Sequence, residues 1–210
     1  MSLTKKQLAN KLLEEILCLF PSPKTELTNW HSDFQFLVCI ILSAQTTDRQ
    51  VNVVTKGLFN RYPTPIELSQ ARENDVAKII SGVNYYHTKS KYIIKTSQII
   101  IKDYDGEVPR TIEELVKLPG VGYKTANVFL NDMYHSNQGI AVDTHVKRIA
   151  RAYGLTKEED PTKIAHDLEN LFPKEKWCLV NTAFVLYGRY IFKSRNPVTD
   201  KFVLKEYIVL

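Results

Sequence analysis

Two glycines, a lysine and an aspartate form the group of residues best suited to chemistry in this sequence. Gly120 and Gly122 are separated by one residue and lie between a helix-compatible stretch over residues 111–117 and a second such stretch. This spacing predicts a tight reversal between two helices, because glycine accepts backbone conformations that other residues avoid. Lys124 falls in the first turn of the second helix, and Asp143 follows that helix. The sequence therefore joins a helix hairpin to an amine and a carboxylate.

The predicted hairpin is suited to hold a phosphate group. Backbone N–H groups at the start of a helix have no partner within that helix, and they lie at the positive end of its dipole. A phosphate bound there holds a nucleic-acid backbone without reading its bases. The residues expected to make this contact are Gly120, Val121, Gly122, Tyr123 and Thr125.

Lys124 is suited to act as a nucleophile. We expect its amine to lie near the positive end of the helix dipole and to be partly desolvated, and both effects disfavour the ammonium form. A lysine that is partly neutral near physiological pH can attack a carbon atom. The alternative interpretation is a lysine that only binds phosphate.

Asp143 has two interpretations, which can coexist. It stands at the start of a helix predicted over residues 143–153, so its side chain can cap that helix. A carboxylate in this place can also stabilise developing positive charge or accept a proton. Lys147, Arg148 and Arg151 lie on or near one face of the same helix, where they can contact phosphate or form a solvated basic face.

The elements that position these residues are predicted to be helices throughout, because helical periodicity recurs and strand-like alternation is brief. The fold class is therefore all-α. Asp33 is expected to cap one helix, and Thr47 or Asp48 the next. The predicted helices cover residues 5–20, 34–42, 123–133, 143–153, 161–171 and 177–192, and further helices start after residue 47 and near residues 65, 74, 88 and 111.

Composition and length fit an ordinary globular protein of one or two domains. The 210 residues carry a formal net charge of +5 and are 44% hydrophobic, which fits a polyanionic partner but is also common without one. Cys18, Cys39 and Cys178 lie far apart, which favours reduced thiols in a cytoplasmic protein over a disulfide framework. The N-terminal helix is amphipathic and unlike a signal peptide, and no apolar run approaches the length of a membrane span.

Three further motifs accompany the hairpin in a fixed order. Residues 36–48 read Phe-Leu-Val-Cys-Ile-Ile-Leu-Ser-Ala-Gln-Thr-Thr-Asp, residues 106–109 read Gly-Glu-Val-Pro, and residues 187–190 read Tyr-Gly-Arg-Tyr. Together with Lys124 and Asp143, these motifs resemble the endonuclease III family of helix-hairpin-helix DNA glycosylases. The resemblance covers most of the chain. A Pro-Gly-x-Gly turn alone would be weak support, whereas four blocks in the family's order are specific.

The resemblance implies two helical lobes with a DNA-binding groove between them. Residues 24–135 would form a six-helix barrel with the hairpin at about 112–132, and residues 1–23 and 136–210 would form the second lobe. The hairpin would lie on one rim of the groove and Asp143 on the other. We expect a monomer that binds damaged or abasic double-stranded DNA in the bacterial cytosol or nucleoid, and no membrane.

The resemblance also implies an activity in base excision repair. Lys124 would attack the sugar C1′, expel the damaged base and leave a Schiff base, after which β-elimination would release the 3′ phosphate. Asp143 would stabilise the charge at C1′ or help to deprotonate the lysine or an attacking water. The expected protein is a bifunctional DNA glycosylase and apurinic/apyrimidinic lyase for oxidised pyrimidines. The alternatives are a monofunctional adenine-type mismatch glycosylase, whose position matching Lys124 is usually not lysine, and a non-catalytic DNA-binding hairpin.

Two loops are implied to fill the gap that an extruded nucleotide leaves in the duplex. Gln45 ends the Leu-Ser-Ala-Gln motif and would enter the gap; alternatively, it is a helix C-terminal residue that bonds its own loop. Tyr85 would be a second wedge, where relatives often have a bulky apolar residue after a glycine. Asn84 would adopt the positive φ of that glycine. The alternative for Tyr85 is simple packing between helices.

The C-terminal region departs from the family pattern. Most relatives end in four cysteines, spaced Cys-x6-Cys-x2-Cys-x5-Cys, which bind a [4Fe–4S] cluster. Phe192 and Thr199 stand where the first two cysteines would fall. We expect no iron–sulfur cluster and no other metal or cofactor. The side chains expected to hold the tail by packing are Phe192, Phe202, Val203, Leu204 and Tyr207.

Overall fold

The computed structural model describes residues 3–209, and in that range the regular elements are helices, without a β-strand. The all-α prediction is confirmed. The chain forms two compact units: one is Thr25–Met133, and the other consists of the described parts of Met1–Lys24 and Tyr134–Leu210. Among the described residues, no helix has both the length and the apolar character to cross a membrane.

The central unit, Thr25–Met133, contains most of the helices. Its helices are α2 (Asp33–Ser43), α3 (Asp48–Arg61), α4 (Pro65–Ser69), α5 (Glu73–Ile79), α6 (Tyr86–Asp103), α7 (Ile112–Leu115) and α8 (Tyr123–Tyr134), of which the last extends one residue past the unit. The long helix α6 packs against α2, α4 and α5. All three of these helices precede α6 in the chain.

Helix α2 is the buried axis of this unit. Every residue from 34 to 42 is buried, so the helix is apolar on all sides and is enclosed by its neighbours. The rings of Phe36 on α2 and Phe129 on α8 are fully buried and stack with centroids 6.1 Å apart. The predicted cap of α2 is wrong by one residue: Ser32 caps the helix, and Asp33 is its first helical residue. Thr47 caps α3, as one of the two predicted alternatives.

The other unit joins the N-terminal helix to the last part of the chain. Its helices are α1 (Lys5–Leu19), α9 (Thr144–Ala152), α10 (Pro161–Leu171) and α11 (Trp177–Tyr190). The side chain of Asp160 accepts hydrogen bonds from two N–H groups of α10, and Pro161 occupies the first helical position, where no N–H is required. Helix α1 packs against α10 and α11, and α9 packs against the same two helices. Their apolar faces share one core.

Candidate functional site

The turn of the hairpin depends on Gly120. Its φ is +80°, and a Cβ atom there would lie 2.9 Å from Cδ2 of Tyr92 and 3.0 Å from Cγ2 of Ile41. Both the backbone conformation and the packing therefore require glycine. The hydroxyl of the buried Thr96 donates to the carbonyl of Pro119 at 3.0 Å, so this residue of α6 anchors the turn.

The N-terminus of α8 presents backbone N–H groups next to open space. Its first helical hydrogen bond runs from Ala126 N to Gly122 O (3.0 Å). The N–H groups of the residues just before Ala126 therefore have no acceptor within the helix. A Cβ at Gly122 would meet no atom within 4 Å, which means that packing in this protein does not require a glycine there. Tyr123 is exposed and Thr125 half-buried. An anion can therefore approach this backbone closely.

Val121 does not fit the predicted phosphate contact. Its side chain is buried, and its N–H donates to the carbonyl of Leu118 at 3.1 Å. The residue closes the turn between α7 and α8, and its donor is already used. Of the residues predicted to contact phosphate, Gly120, Gly122, Tyr123 and Thr125 therefore remain candidates.

Lys124 is the second residue of α8, as expected, but its side chain is exposed. The predicted partial desolvation is therefore wrong for the protein alone. Sequence reasoning also missed a nearby carboxylate, Asp48, at the first position of α3. Burial raises the pKa of Asp48, and the positive charge of Lys124 opposes that rise. The central unit thus places a lysine and a partly buried carboxylate within electrostatic reach of each other.

The signal that could have identified Asp48 lies in the motif over residues 36–48, which ends in Gln-Thr-Thr-Asp. The residue was interpreted as a possible helix cap, a role that Thr47 fills. A carboxylate at the first helical position is favoured by the helix dipole without being required as a cap. Its half-buried place beside a lysine is visible only in the folded chain.

Gln45 and Tyr85 occupy two loops that contact each other. Gln45 follows α2 with φ +54°, and Tyr85 precedes α6 with φ +56°. Both side chains are exposed, and Tyr85 retains 66% of its accessible surface. The interpretation of Tyr85 as a residue packed between helices is therefore wrong. Two large side chains project from strained backbone toward solvent.

Asn84 links these two loops rather than supplying a positive φ. The left-handed conformation lies at Tyr85, and Asn84 is not among the positive-φ residues of the described chain, so that prediction is wrong by one residue. Asn84 Nδ2 donates to the carbonyl of Gln45, and Asn84 N donates to Thr46 Oγ1 at 3.2 Å. The asparagine amide is used to join the loops.

Asp143, in the other unit, caps α9. Its Oδ1 accepts hydrogen bonds from the N–H groups of His145 and Val146, both at 2.8 Å. Helix α9 approaches α11 closely because Gly188 has no side chain: a Cβ there would lie 2.8 Å from Cβ of His145. The glycine of the Tyr-Gly-Arg-Tyr motif thus positions the helix that carries Asp143.

The three basic residues of α9 are held by the protein itself. Arg148 donates to the carbonyls of Gly188 (2.9 Å) and Phe192 (2.9 Å), and burial lowers its pKa while nearby Asp143 raises it. Lys147 donates to the carbonyl of Glu159 at 2.7 Å and pairs with the carboxylate of Glu159, as does Arg151. Arg148 is therefore structural, and the charges of the other two are partly compensated.

Two buried tyrosines hold the C-terminal segment. Tyr153 Oη donates to the carbonyl of Val203 at 2.6 Å, and the N–H of Val203 donates to Tyr187 Oη at 3.1 Å. The two hydroxyl oxygens are 3.1 Å apart. Because Tyr153 already donates to Val203, Tyr187 is the donor between the two hydroxyls. Phenols, rather than thiolates, thus fix this segment.

Two phenylalanines, a threonine and an isoleucine occupy the positions that the cysteine spacing given above would mark. The spacing assigns these positions to Phe192, Thr199, Phe202 and Ile208. The rings of Phe192 and Phe202 lie with centroids 4.5 Å apart, and Phe192 also contacts Tyr153 and Tyr187. Within residues 3–209, no three His, Cys, Asp or Glu side chains come together as a metal site.

Comparison with known proteins matches this geometry to one family. The description "HhH-GPD superfamily base excision DNA repair protein" matches residues 38–174. The chain is 41% identical over 202 residues to endonuclease III of Rickettsia felis, with 96% of this chain and 93% of the relative covered. It is 40% identical over 187 residues to endonuclease III of Bacillus subtilis, with 88% and 84% covered.

Solved structures give the same result. A trapped endonuclease III–DNA covalent intermediate superimposes with a TM-score of 0.92 at 35% identity, covering 99% of this chain and 96% of that one. A thermostable thymine-DNA glycosylase shares the fold, with a TM-score of 0.82 at 20% identity over 96% of this chain and 95% of that one. The chain belongs to the endonuclease III family within the HhH-GPD superfamily of base excision DNA repair proteins.

Proposed function

We propose that the protein is a bifunctional DNA glycosylase and apurinic/apyrimidinic lyase of base excision repair. Its similarity to endonuclease III over almost the whole chain carries this conclusion. Damaged or abasic double-stranded DNA is the proposed substrate, and oxidised pyrimidines are the proposed lesions. The protein acts as a monomer at the bacterial nucleoid. The lysine of α8 weighs against a monofunctional adenine-type glycosylase, and a purely DNA-binding hairpin would not need it.

Lys124 is the proposed nucleophile. Its neutral Nζ attacks C1′, the bond from C1′ to the base breaks, and the base leaves after gaining a proton. Nζ then loses a proton and the sugar ring opens at the C1′–O4′ bond, which leaves a Schiff base between C1′ and the lysine. The Schiff base makes the 2′ proton acidic, and loss of that proton breaks the bond from C3′ to the phosphate oxygen. Since Lys124 is exposed in the protein alone, the bound substrate must supply the desolvation that favours the neutral amine.

Two carboxylates are proposed to assist this chemistry. Asp143 stabilises the positive charge that develops at the sugar when DNA brings C1′ to it. Asp48 lies within the electrostatic reach of Lys124 and can accept the proton that the amine releases. The interaction of Asp48 with Lys124 supports this role as proton acceptor, whereas the sequence predicted Asp48 only as a possible helix cap.

DNA binding is assigned to the hairpin and the two exposed loops. The N–H groups of Gly122 and Tyr123 contact a backbone phosphate, and Gln45 and Tyr85 fill the gap left by the extruded nucleotide. Gly120 shapes the turn, and Thr125 lies in the first turn of α8. Lys147 stays a candidate phosphate contact, although its charge is already partly compensated by Glu159. This arrangement binds the backbone without reading sequence.

We also propose that the protein works without an iron–sulfur cluster. Cluster ligation needs thiolates brought together, whereas the corresponding positions hold Phe192, Thr199, Phe202 and Ile208. Cys39 is buried, and burial raises its pKa to about 12, so its thiol is a poor ligand. These residues do not fit the cluster.

Borohydride trapping tests the proposed function. A duplex containing thymine glycol is incubated with the protein and borohydride, which reduces a Schiff base to a stable amine. The wild-type protein should form a covalent adduct, and Lys124→Ala should form none. Lys102→Ala, an exposed lysine on α6, is the control and should trap as the wild type does. No adduct with the wild type would refute the lyase, and an undiminished adduct with Lys124→Ala would place the nucleophile elsewhere.

A further inference from the structure

Lys89 is a buried lysine to which the proposed chemistry gives no role. It lies in the first turns of α6, and only 4% of its surface is accessible. Its Nζ donates to the carbonyl of Leu42 at 2.7 Å, the carbonyl of Ala44 at 2.7 Å and Thr46 Oγ1 at 3.0 Å. The amine thus contacts the last turn of α2 and the loop that follows it.

Burying the Lys89 ammonium costs free energy, and its hydrogen bonds offset that cost. A buried ammonium is destabilising unless hydrogen bonds replace its water, and burial lowers the pKa of Lys89 to about 8. The C-terminal carbonyls of α2 compensate this cost, because the end of a helix has unpaired carbonyls and a partial negative charge. Lys89 therefore caps α2 from a different helix, across 47 residues of chain.

The same network joins the loops that carry Gln45 and Tyr85. Thr46 Oγ1 accepts from Lys89 Nζ on one side and from the N–H of Asn84 on the other. Asn84 Nδ2 donates to the carbonyl of Gln45, and the N–H of Lys89 donates to the carbonyl of Tyr85 at 2.9 Å. The Lys89 side chain is therefore bonded directly to the Gln45 loop, and through the Thr46 hydroxyl that it shares with Asn84 it is linked to the Tyr85 loop.

Both loops need an external constraint. Gln45 and Tyr85 each adopt a left-handed backbone conformation, which is unfavourable for a residue other than glycine. Their side chains are exposed, so side-chain packing within the protein does not select these conformations. The hydrogen bonds of Lys89, Asn84 and Thr46 join the two loop backbones in this geometry.

We propose that Lys89 is a positioning residue that fixes the Gln45 and Tyr85 loops as one unit, so that both side chains enter the DNA gap together. The proposal rests on the proposed function, in which these two residues fill that gap. It predicts that efficient cleavage of double-stranded DNA, in which the duplex must be opened, requires Lys89. It also predicts that cleavage of single-stranded DNA, which has no partner strand to displace, does not require Lys89.

Cleavage of one abasic site in two contexts tests this role. Lys89→Met keeps the length of the side chain and removes the donor, and Lys95→Met, an exposed lysine of the same helix, is the matched control. For Lys89→Met, kcat/KM on duplex DNA should fall by about 10-fold to 100-fold, since misplacing a positioned group by about 1 Å has that effect. On single-stranded DNA, cleavage should change by less than about 3-fold, because no gap forms. Lys95→Met should leave both rates unchanged.

A triple variant tests whether Lys89 acts through the two loops. If Lys89 acts through the loops, Lys89→Met should add little to the loss already caused by the combined Gln45→Ala and Tyr85→Ala substitutions. Thr46→Val removes the shared hydroxyl without removing a buried charge. It should show the same duplex-selective loss if Lys89→Met fails to fold.

Three results would overturn the proposal. They are an unchanged duplex rate in a folded Lys89→Met or Thr46→Val variant, equal losses on both substrates, and full additivity with the loop substitutions. If the wild-type protein cleaves neither substrate, the proposed function itself fails, and the positioning role falls with it.

Discussion

Asp143 combines a structural and a proposed catalytic role, and two substitutions separate them. Asparagine caps helices as well as aspartate does, so Asp143→Asn should change the free energy of unfolding by less than about 0.5 kcal/mol. The same variant loses the negative charge, and cleavage of abasic DNA should fall by about 100-fold or more. Asp143→Ala should lose the activity and, in addition, about 1 kcal/mol of stability.

Urea unfolding and single-turnover cleavage measure these two effects separately. Equal stability losses in both variants would show that the hydrogen bonds to His145 and Val146 require the charge. Near-normal cleavage by Asp143→Asn would remove the carboxylate from the mechanism.

Lys89 should give the protein a distinctive pH dependence. Its pKa is about 8 in the folded state against an ordinary 10.5, so between these values the unfolded chain binds more protons. The free energy of unfolding should therefore rise with pH in that window, by up to about 1.4 kcal/mol per pH unit. Below pH 8 the burial cost is present in full, and by pH 10.5 it is relieved.

The comparison of wild type with Lys89→Met isolates this contribution. The stability difference between them should shift in favour of the wild type as the pH increases from about 8 to about 10. Denaturant unfolding at several pH values measures it, with Lys95→Met as the control. A difference that does not vary with pH would mean that the lysine titrates as it does in the unfolded chain.

At the scale of elements, the hairpin contains two glycines with different requirements. Gly120→Ala should destabilise the protein by about 1–3 kcal/mol, because φ is +80° and the added Cβ would meet Tyr92 and Ile41. Gly122→Ala should leave stability unchanged or raise it slightly, since nothing lies within 4 Å of the added Cβ. It should nevertheless weaken DNA binding, because the methyl group occupies the path of a phosphate.

Thermal unfolding and binding of a fluorescent abasic duplex distinguish the two glycines. Each substitution is the control for the other, since both add one methyl group to the same turn. If Gly122→Ala binds the duplex with unchanged affinity, the N-terminus of α8 is not the phosphate contact.

The sequence predicts elements well where local chemistry decides the outcome. Asp160 before Pro161 predicts the start of α10, and the two glycines predict the hairpin. The cap of α2 was misplaced because Ser32 and Asp33 are both good caps, and only the backbone of Ser32 is extended. Predictions at helix boundaries fail where two neighbouring residues have the same preference.

Parts of the candidate site were not predictable because they depend on contacts between distant segments. Lys89 belongs to an amphipathic helix and gives no sign in the sequence that it binds carbonyls 47 and 45 residues away. The positive φ was assigned to Asn84 on grounds of propensity, yet Tyr85 adopts it because the Asn84 amide is bonded to the Gln45 loop. Tertiary hydrogen bonds override local preference at both residues.

At the scale of the whole molecule, aromatic packing holds the C-terminal segment. Phe192 is buried against Tyr153, Tyr187 and Phe202. Phe192→Ala should therefore lower the free energy of unfolding by about 3–5 kcal/mol, whereas Phe192→Leu should cost less because it leaves a smaller cavity.

Metal analysis completes this prediction. Protein purified from iron-replete cells should contain no stoichiometric iron, and its cleavage of abasic DNA should persist after treatment with a chelator. Calorimetry measures the two Phe192 variants. A stoichiometric iron content, or an inactive chelated protein, would contradict the proposed cluster-free architecture.

One helix connects most of the parts assigned to DNA binding. Along one side of α6, Lys89 bonds the end of α2, Tyr92 packs against Gly120, and Thr96 bonds the turn at Pro119. These loops are therefore expected to open together with α6 rather than separately. In hydrogen exchange, the amides of the hairpin turn and of the Gln45 loop should share an opening free energy with this helix, so that the loops proposed to contact DNA exchange as slowly as part of the core.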